Sequence, residues 1–304
     1  MYVRPTAPRS IGGVLDDGLR LWIHSLSRTW PLALLAQLLL VIPLLLFRLQ
    51  IKNMPIVPTP NALSAMNAAN AQLMLALMKS PGFWLGYLLV LLLYLAFYNA
   101  IILRIFAAST NGDLPIGRSV TSGLRLVPRE ALLILIGFLA LIVVGIALAL
   151  IFAVTAAVVG AGGQKSLTPL LMGIFSVLVI GFLMTRLFLT LIALVLQDAR
   201  AFESLSVSWT LTRGNFWRCA AILTVLIIIG IVLSLVIGFL NGLLVVWLGP
   251  DSLIAIVLSQ VLGLLSGLVL GPLYPAVSVA VYFDLKLRKE GADLASRVNA
   301  LPAQ

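Results

Sequence analysis

Apolar positions dominate the chain in six long stretches: about Trp30 to Phe47, Phe83 to Phe106, Ala131 to Val159, Pro169 to Leu196, Cys219 to Leu248 and Leu253 to Phe283. About 20 apolar residues carry an α-helix across the hydrocarbon core of a bilayer. The pattern therefore predicts an all-α polytopic membrane bundle of six transmembrane helices. The longer stretches exceed one crossing and are expected to tilt or to extend past the hydrocarbon.

A second pattern precedes the odd-numbered spans. Ile11 begins IGGVLDDGLRLW, Ile116 begins IGRSVTSGLRLV and Phe202 begins FESLSVSWTLTR. Aligning these three starts matches Gly18 with Gly123 and Trp209. In the first copy Ile11, Val14, Leu15, Leu19 and Trp22 recur at helical spacing, the signature of an amphipathic helix. A basic, Trp-bearing amphipathic helix beside a span prefers the interface plane. The expected architecture is three helical hairpins, each preceded by an amphipathic interfacial helix. An alternative reading stays open, because juxtamembrane segments are commonly amphipathic and GLRL is a short match. The connection 48–82 is longer. It is Pro-rich at Pro55, Pro58 and Pro60 and then reads as a helix from Asn61 to Ser80, too polar to span.

Charge orients this pattern. The 304 residues are 62% hydrophobic and 10% charged, with net charge +10. A soluble domain carries about 25% charged residues, so lipid is the expected outer solvent. Residues 1–304 are read as one integral membrane domain: 1–29 a cytoplasmic interfacial helix, 30–283 the spans and 284–304 a cytoplasmic tail. Sixteen of the 20 Lys and Arg fall before span one, between spans two and three, between spans four and five, and in the tail, counting Arg104 and Arg186 in the last turns of spans two and four with the segments that follow them; four (Arg48, Lys52, Lys79, Lys165) fall on the other side. The positive-inside rule then places both termini in the cytoplasm. No uninterrupted apolar core precedes Trp30, so no cleaved signal is expected.

Catalytic chemistry is sparse. Cys219 and His24 are the lone residues of their types, which excludes an internal disulfide and argues against a Ser/His/Asp set or a metal site. No cofactor, metal, catalytic residue or nucleic-acid partner is expected, and the protein reads as non-enzymatic. Ionisable groups deep in a span are functional hypotheses. Arg186 is the deepest, and either pairs with Asp198 or Glu203 or snorkels to a headgroup. Arg20, Arg125, Arg186, Arg213 and Arg218 are the candidate contacts to anionic lipid headgroups at the cytoplasmic face. Asn99, Asn241 and Gln260 suit helix-packing hydrogen bonds. Gly263, Gly267 and Gly271 with Pro272 and Pro275 predict a kinked, closely packed sixth span.

Two segments carry further motifs. In AFESLSVSWTLTRGNFW (201–217), Glu203 suits a helix N-terminus, Trp209 faces an interface, and Gly214 and Asn215 suit a helix end and a helix start. In YFDLKLRKEGADL (282–294), Asp284 and Arg288 have helical ion-pair spacing, and Glu290 and Gly291 are expected to stop the helix. Together these segments resemble a bacterial group that includes the membrane domain attached to some glycerophosphoryl diester phosphodiesterases and the YciC-like inner-membrane proteins. The hydrolase of those fusions is a separate soluble domain without a counterpart here, so the resemblance implies a membrane fold and no hydrolytic activity. The functional expectation is a protein whose cytoplasmic face engages anionic lipids or a protein partner, a second copy included. The alternative is a permease or lipid transporter with a site between the hairpins.

Overall fold

A computed structural model of the chain describes residues 2–52, 79–159, 168–249 and 252–299. The expected outer helix of residues 61–80 lies almost wholly outside them. The described residues form helices and no strand: α1 (Ile11–Lys52), α2 (Pro81–Ser109), α3 (Ile116–Val159), α4 (Thr168–Leu187), α5 (Thr190–Gln197), α6 (Ala201–Thr212), α7 (Phe216–Leu248), α8 (Leu253–Leu270) and α9 (Leu273–Asn299).

Five helical stretches are long and apolar enough to cross a membrane: Pro81–Ser109, Ile116–Thr155, Gly173–Gln197, Phe216–Leu248 and Leu253–Lys289. These helices fit an integral membrane protein. Six were expected; the first, 30–47, falls within α1, where side chains beyond residue 40 lie outside the described set.

Local chemistry explains the helix limits. Pro81 opens α2 at a position where its missing N–H is no loss. Asn111 and Asp198, both at φ 53°, turn the chain after α2 and α5; Asn and Asp tolerate this left-handed region best among residues with a Cβ. Gly214 (φ 84°) separates α6 from α7. The apolar stretch Gly173–Gln197, the expected fourth span, breaks at residues 188–189, between α4 and α5. The stretch Leu253–Lys289, the expected sixth span, breaks at Gly271-Pro272, between α8 and α9, where proline cannot donate into the helix ladder.

Three expectations change. The amphipathic segments from Ile11 and Ile116 run unbroken into α1 and α3 and so do not turn into an interface plane; only the third stands as its own helix, α6. The Glu290-Gly291 pair does not stop α9, which continues to Asn299. The glycine run of the sixth span is close-packed only in part: Gly267 lies against the Gln37 side chain, while nothing approaches Gly263.

Residues cluster into two compact units. One holds Met1–Tyr2, Trp22–Arg125 and Ile228–Pro275, and the other Val3–Leu21, Leu126–Ile227 and Ala276–Gln304. In the first, the start of α3 packs on α2: a Cβ on Gly123 would lie 2.3 Å from the Ala96 carbonyl oxygen. The Trp22 indole donates to the Val269 carbonyl beside the break in the sixth span (2.9 Å). Arg28 and Arg104 donate to the carbonyls of Gly112 and Leu114 (2.6 and 2.8 Å), fixing the 110–115 linker. In the second, the start of α1 packs on α9, with Gly18 against Val277, and α6 packs on α4 and α5.

Burial corrects the repeat register. In the first two copies the buried positions are Val14, Gly18, Leu21 and Ser25, and Ser119, Gly123, Leu126 and Glu130, at the same offsets from Ile11 and Ile116. In α6 they are Ser204, Ser208 and Leu211, together with Ala201 and Thr212. The first three match when Ala201, one residue before Phe202, aligns with Ile11 and Ile116. Ser208 then shares the small-residue position with Gly18 and Gly123, and Trp209 turns away from the contact, 44% exposed.

Candidate functional site

The second unit gathers most of the motif chemistry. Asp284 on α9 is 5% exposed and accepts from three directions: the Arg9 backbone N–H (2.8 Å), the Arg218 side chain from the first turn of α7 (3.1 Å) and the Arg288 side chain one turn along α9 (3.0 Å). Arg218 and Arg288 also donate to the Arg9 carbonyl. The Arg4 guanidinium stacks 3.7 Å from the centroid of Phe283. The segment ahead of α1 is thereby strapped to α7 and α9. Arg9 also approaches Asp17 (3.8 Å). Burial raises the Asp17 carboxyl above its ordinary pKa, Asp16 and Asp284 add to the rise, and Arg9 and Arg20 oppose it.

Arg186 stands apart from this network, in the last turn of α4. Its guanidinium centre is 5.0 Å from the Trp209 ring centroid, 5.3 Å from Phe216 and 5.4 Å from Phe182, rings drawn from α6, α7 and α4. Such placement over ring faces is attractive. Its backbone carbonyl accepts from the Ser208 hydroxyl (2.7 Å). Its Nη1 reaches only Thr212 Oγ1, at 3.5 Å, and its Nε is buried without a partner. Neither expected carboxylate pairs with it. Asp198 takes Arg129 on its carboxylate and on its carbonyl (2.8 Å), and Glu203 accepts the Arg200 N–H (3.3 Å) at the start of α6.

The other candidate residues divide clearly. Arg125 and Arg213 are exposed. Arg20 is exposed and pairs with Asp16 (2.9 Å). Arg218 faces protein, with its side chain 15% exposed. Gly214 and Asn215 form the turn into α7: the Asn215 N–H donates to Thr212 (3.1 Å) and its carbonyl accepts from Cys219 (3.0 Å). Gly291 is exposed within α9; the Glu290 side chain lies outside the described set. The two sequence motifs meet, since Arg218, next to the first, pairs with Asp284 of the second. Sequence reasoning missed Arg9, Phe182, Thr190 and Phe216. Phe182 and Thr190 stand four residues either side of Arg186, a spacing that could have flagged them; Trp209 and Phe216 reach it only through the tertiary fold.

Around these residues, the fold defines an all-helical protein with several apolar helices of membrane-crossing length and arginine-rich helix ends. Its matched family carries no functional label. The chain belongs to the family described as domain of unknown function DUF7847, which matches residues 33–285. No curated protein and no solved structure matches it.

Proposed function

We propose that this is a non-enzymatic multi-pass protein of a bacterial inner membrane that binds anionic lipids at a cytoplasmic, arginine-rich face. The surface of α6 and the start of α7 carries this reading. There Phe202, Trp209 and Trp217 are 69%, 44% and 82% exposed beside exposed Arg213. Exposed aromatics favour the headgroup level of a bilayer, and each arginine near an anionic surface contributes about 1 kcal/mol.

The purified protein in mixed nanodiscs should enrich phosphatidylglycerol over phosphatidylcholine, and replacing Arg125 and Arg213 together by Gln should reduce the enrichment severalfold. Unchanged enrichment with an unchanged co-purified lipid complement would sink the proposal. A permease or lipid transporter is the second reading, favoured by the breaks in the fourth and sixth spans, because interrupted helices build substrate sites in transporters. Phosphatidylglycerol-independent movement of a solute or lipid in proteoliposomes would favour it.

A further inference from the structure

We infer that the break in the fourth span, at Arg186 and Thr190, is a recognition site for a phosphate group, presented by a lipid headgroup or by phosphate in solution. The inference rests on the reading above that arginine-bearing helix ends meet anionic lipid, and it names the chemistry of one site.

Arg186 is a cation placed in an apolar span with no carboxylate paired to it among the described residues. An uncompensated charge there is costly, and three aromatic rings lower that cost without neutralising it. They also hold the guanidinium in place. Its one protein hydrogen bond is at the long limit for such a contact, and its Nε is buried and unused. A planar fork of N–H donors with a single weak acceptor matches phosphate geometry.

Thr190 is the second observation. It opens α5 immediately after the break, is 4% exposed, and its hydroxyl has no partner. Buried hydroxyls normally find an acceptor. The buried helical threonines Thr29, Thr185 and Thr212 do so by donating one turn back, to Ser25, Gly181 and Ser208. The carbonyl one turn back from Thr190 is that of Arg186, which accepts from the Ser208 hydroxyl and not from Thr190. The first N–H groups of α5 start at the same break, at the positive end of a helix. A guanidinium, a hydroxyl donor and a helix N-terminus therefore flank one two-residue interruption, with Trp209 and Phe216 marking interface depth.

Native mass spectrometry of the full chain, titrated with phosphatidylglycerol, reads the site as the first tight lipid adduct. Arg186→Gln should weaken that adduct about tenfold or more, as loss of charge-assisted hydrogen bonds does. Arg186→Lys should restore it in part, and Thr190→Val should weaken it severalfold. Inorganic phosphate at millimolar concentration separates the sources. Displacement of the adduct assigns the site to phosphate in general, and persistence assigns it to the lipid headgroup. First-adduct affinity equal to wild type in both Arg186→Gln and Thr190→Val overturns the inference. Should Arg186→Gln not fold, Thr190→Val, which keeps the cation and the cage, decides alone. Lipid enrichment in the Arg125/Arg213 double variant is a separate readout, so either proposal can fail without the other.

Discussion

Gly123 shows at the scale of one residue why a small side chain is required. An added methyl would sit 2.3 Å from the Ala96 carbonyl and 3.2 Å from the Ala100 nitrogen, both backbone atoms that cannot swing aside. Gly123→Ala should lower unfolding stability in mild detergent by about 1–3 kcal/mol. Gly18→Ala, meeting the Val277 Cα at 2.9 Å, should act in the same direction. Gly137→Ala, with nothing within 4 Å, should be neutral or mildly stabilising, because alanine is the better helix former. His24 offers a second test. Burial, and secondarily the positive charge of Arg28, lower its pKa below the ordinary 6.5. The unfolded chain then binds more protons than the native one below that pH, so stability is present above about 6.5 and falls as pH drops through the native value. His24→Gln should remove this slope, measured by unfolding from pH 7.5 to 5.5, and the single histidine can be followed directly by NMR.

At the scale of elements, the three amphipathic segments share a buried face yet end differently. With Ala201 aligned to Ile11 and Ile116, Gly214 falls opposite His24 and Arg129. Only the glycine adopts positive φ, and only there does the helix break. Gly214→Ala should cost about 1–2 kcal/mol in unfolding stability. The Gly-Asn boundary was legible in the sequence. The continuity of α1 and α3 was not, because an amphipathic face looks the same whether it lies on lipid or on another helix. What covers it here is another helix: Val277 on α9 for Gly18, Ala96 on α2 for Gly123, and Arg186 on α4 for Ser208. The alignment by first letters missed by one residue in the third copy because its small buried residue is a serine rather than a glycine.

Across the whole molecule the repeat extends to its arginines. Arg28 and Arg218 stand at the same offset from Ile11 and Ala201, and Arg129 lies one turn earlier in its copy. Each donates to a carbonyl in a linker that leads into an amphipathic segment: Gly112, Arg9 and Asp198 respectively. This common job supports an internal triplication more strongly than the shared GLRL. The Arg218 site, with its side chain 15% exposed, adds Asp284 as a counter-charge. Asp284→Asn should destabilise by about 3–5 kcal/mol, because it leaves the buried Arg218 without its carboxylate. A paired Arg218→Met, Asp284→Leu protein should regain only part of the loss in the same unfolding measurement, because Arg288 and the Arg9 N–H still lose their acceptor. The copies also differ in their spans. Thr29, Leu32 and Ala36 in α1, and Cys219, Ile222 and Leu226 in α7, are buried, whereas their equivalents Ile134 and Leu141 in α3 are 46% and 48% exposed.

The sequence by itself determined the long apolar helices, the gathering of arginine at particular helix ends, the glycine turn before α7 and the break in the sixth span. Each follows from hydropathy, charge count or the backbone limits of glycine and proline, which are local properties. The tertiary structure decided which carboxylate each arginine meets, the register of the third copy, the unbroken course of α1 and α3, and the cage of Phe182, Trp209 and Phe216 around Arg186. Those depend on side chains far apart in the chain reaching one another, and no spacing in the sequence encodes that distance.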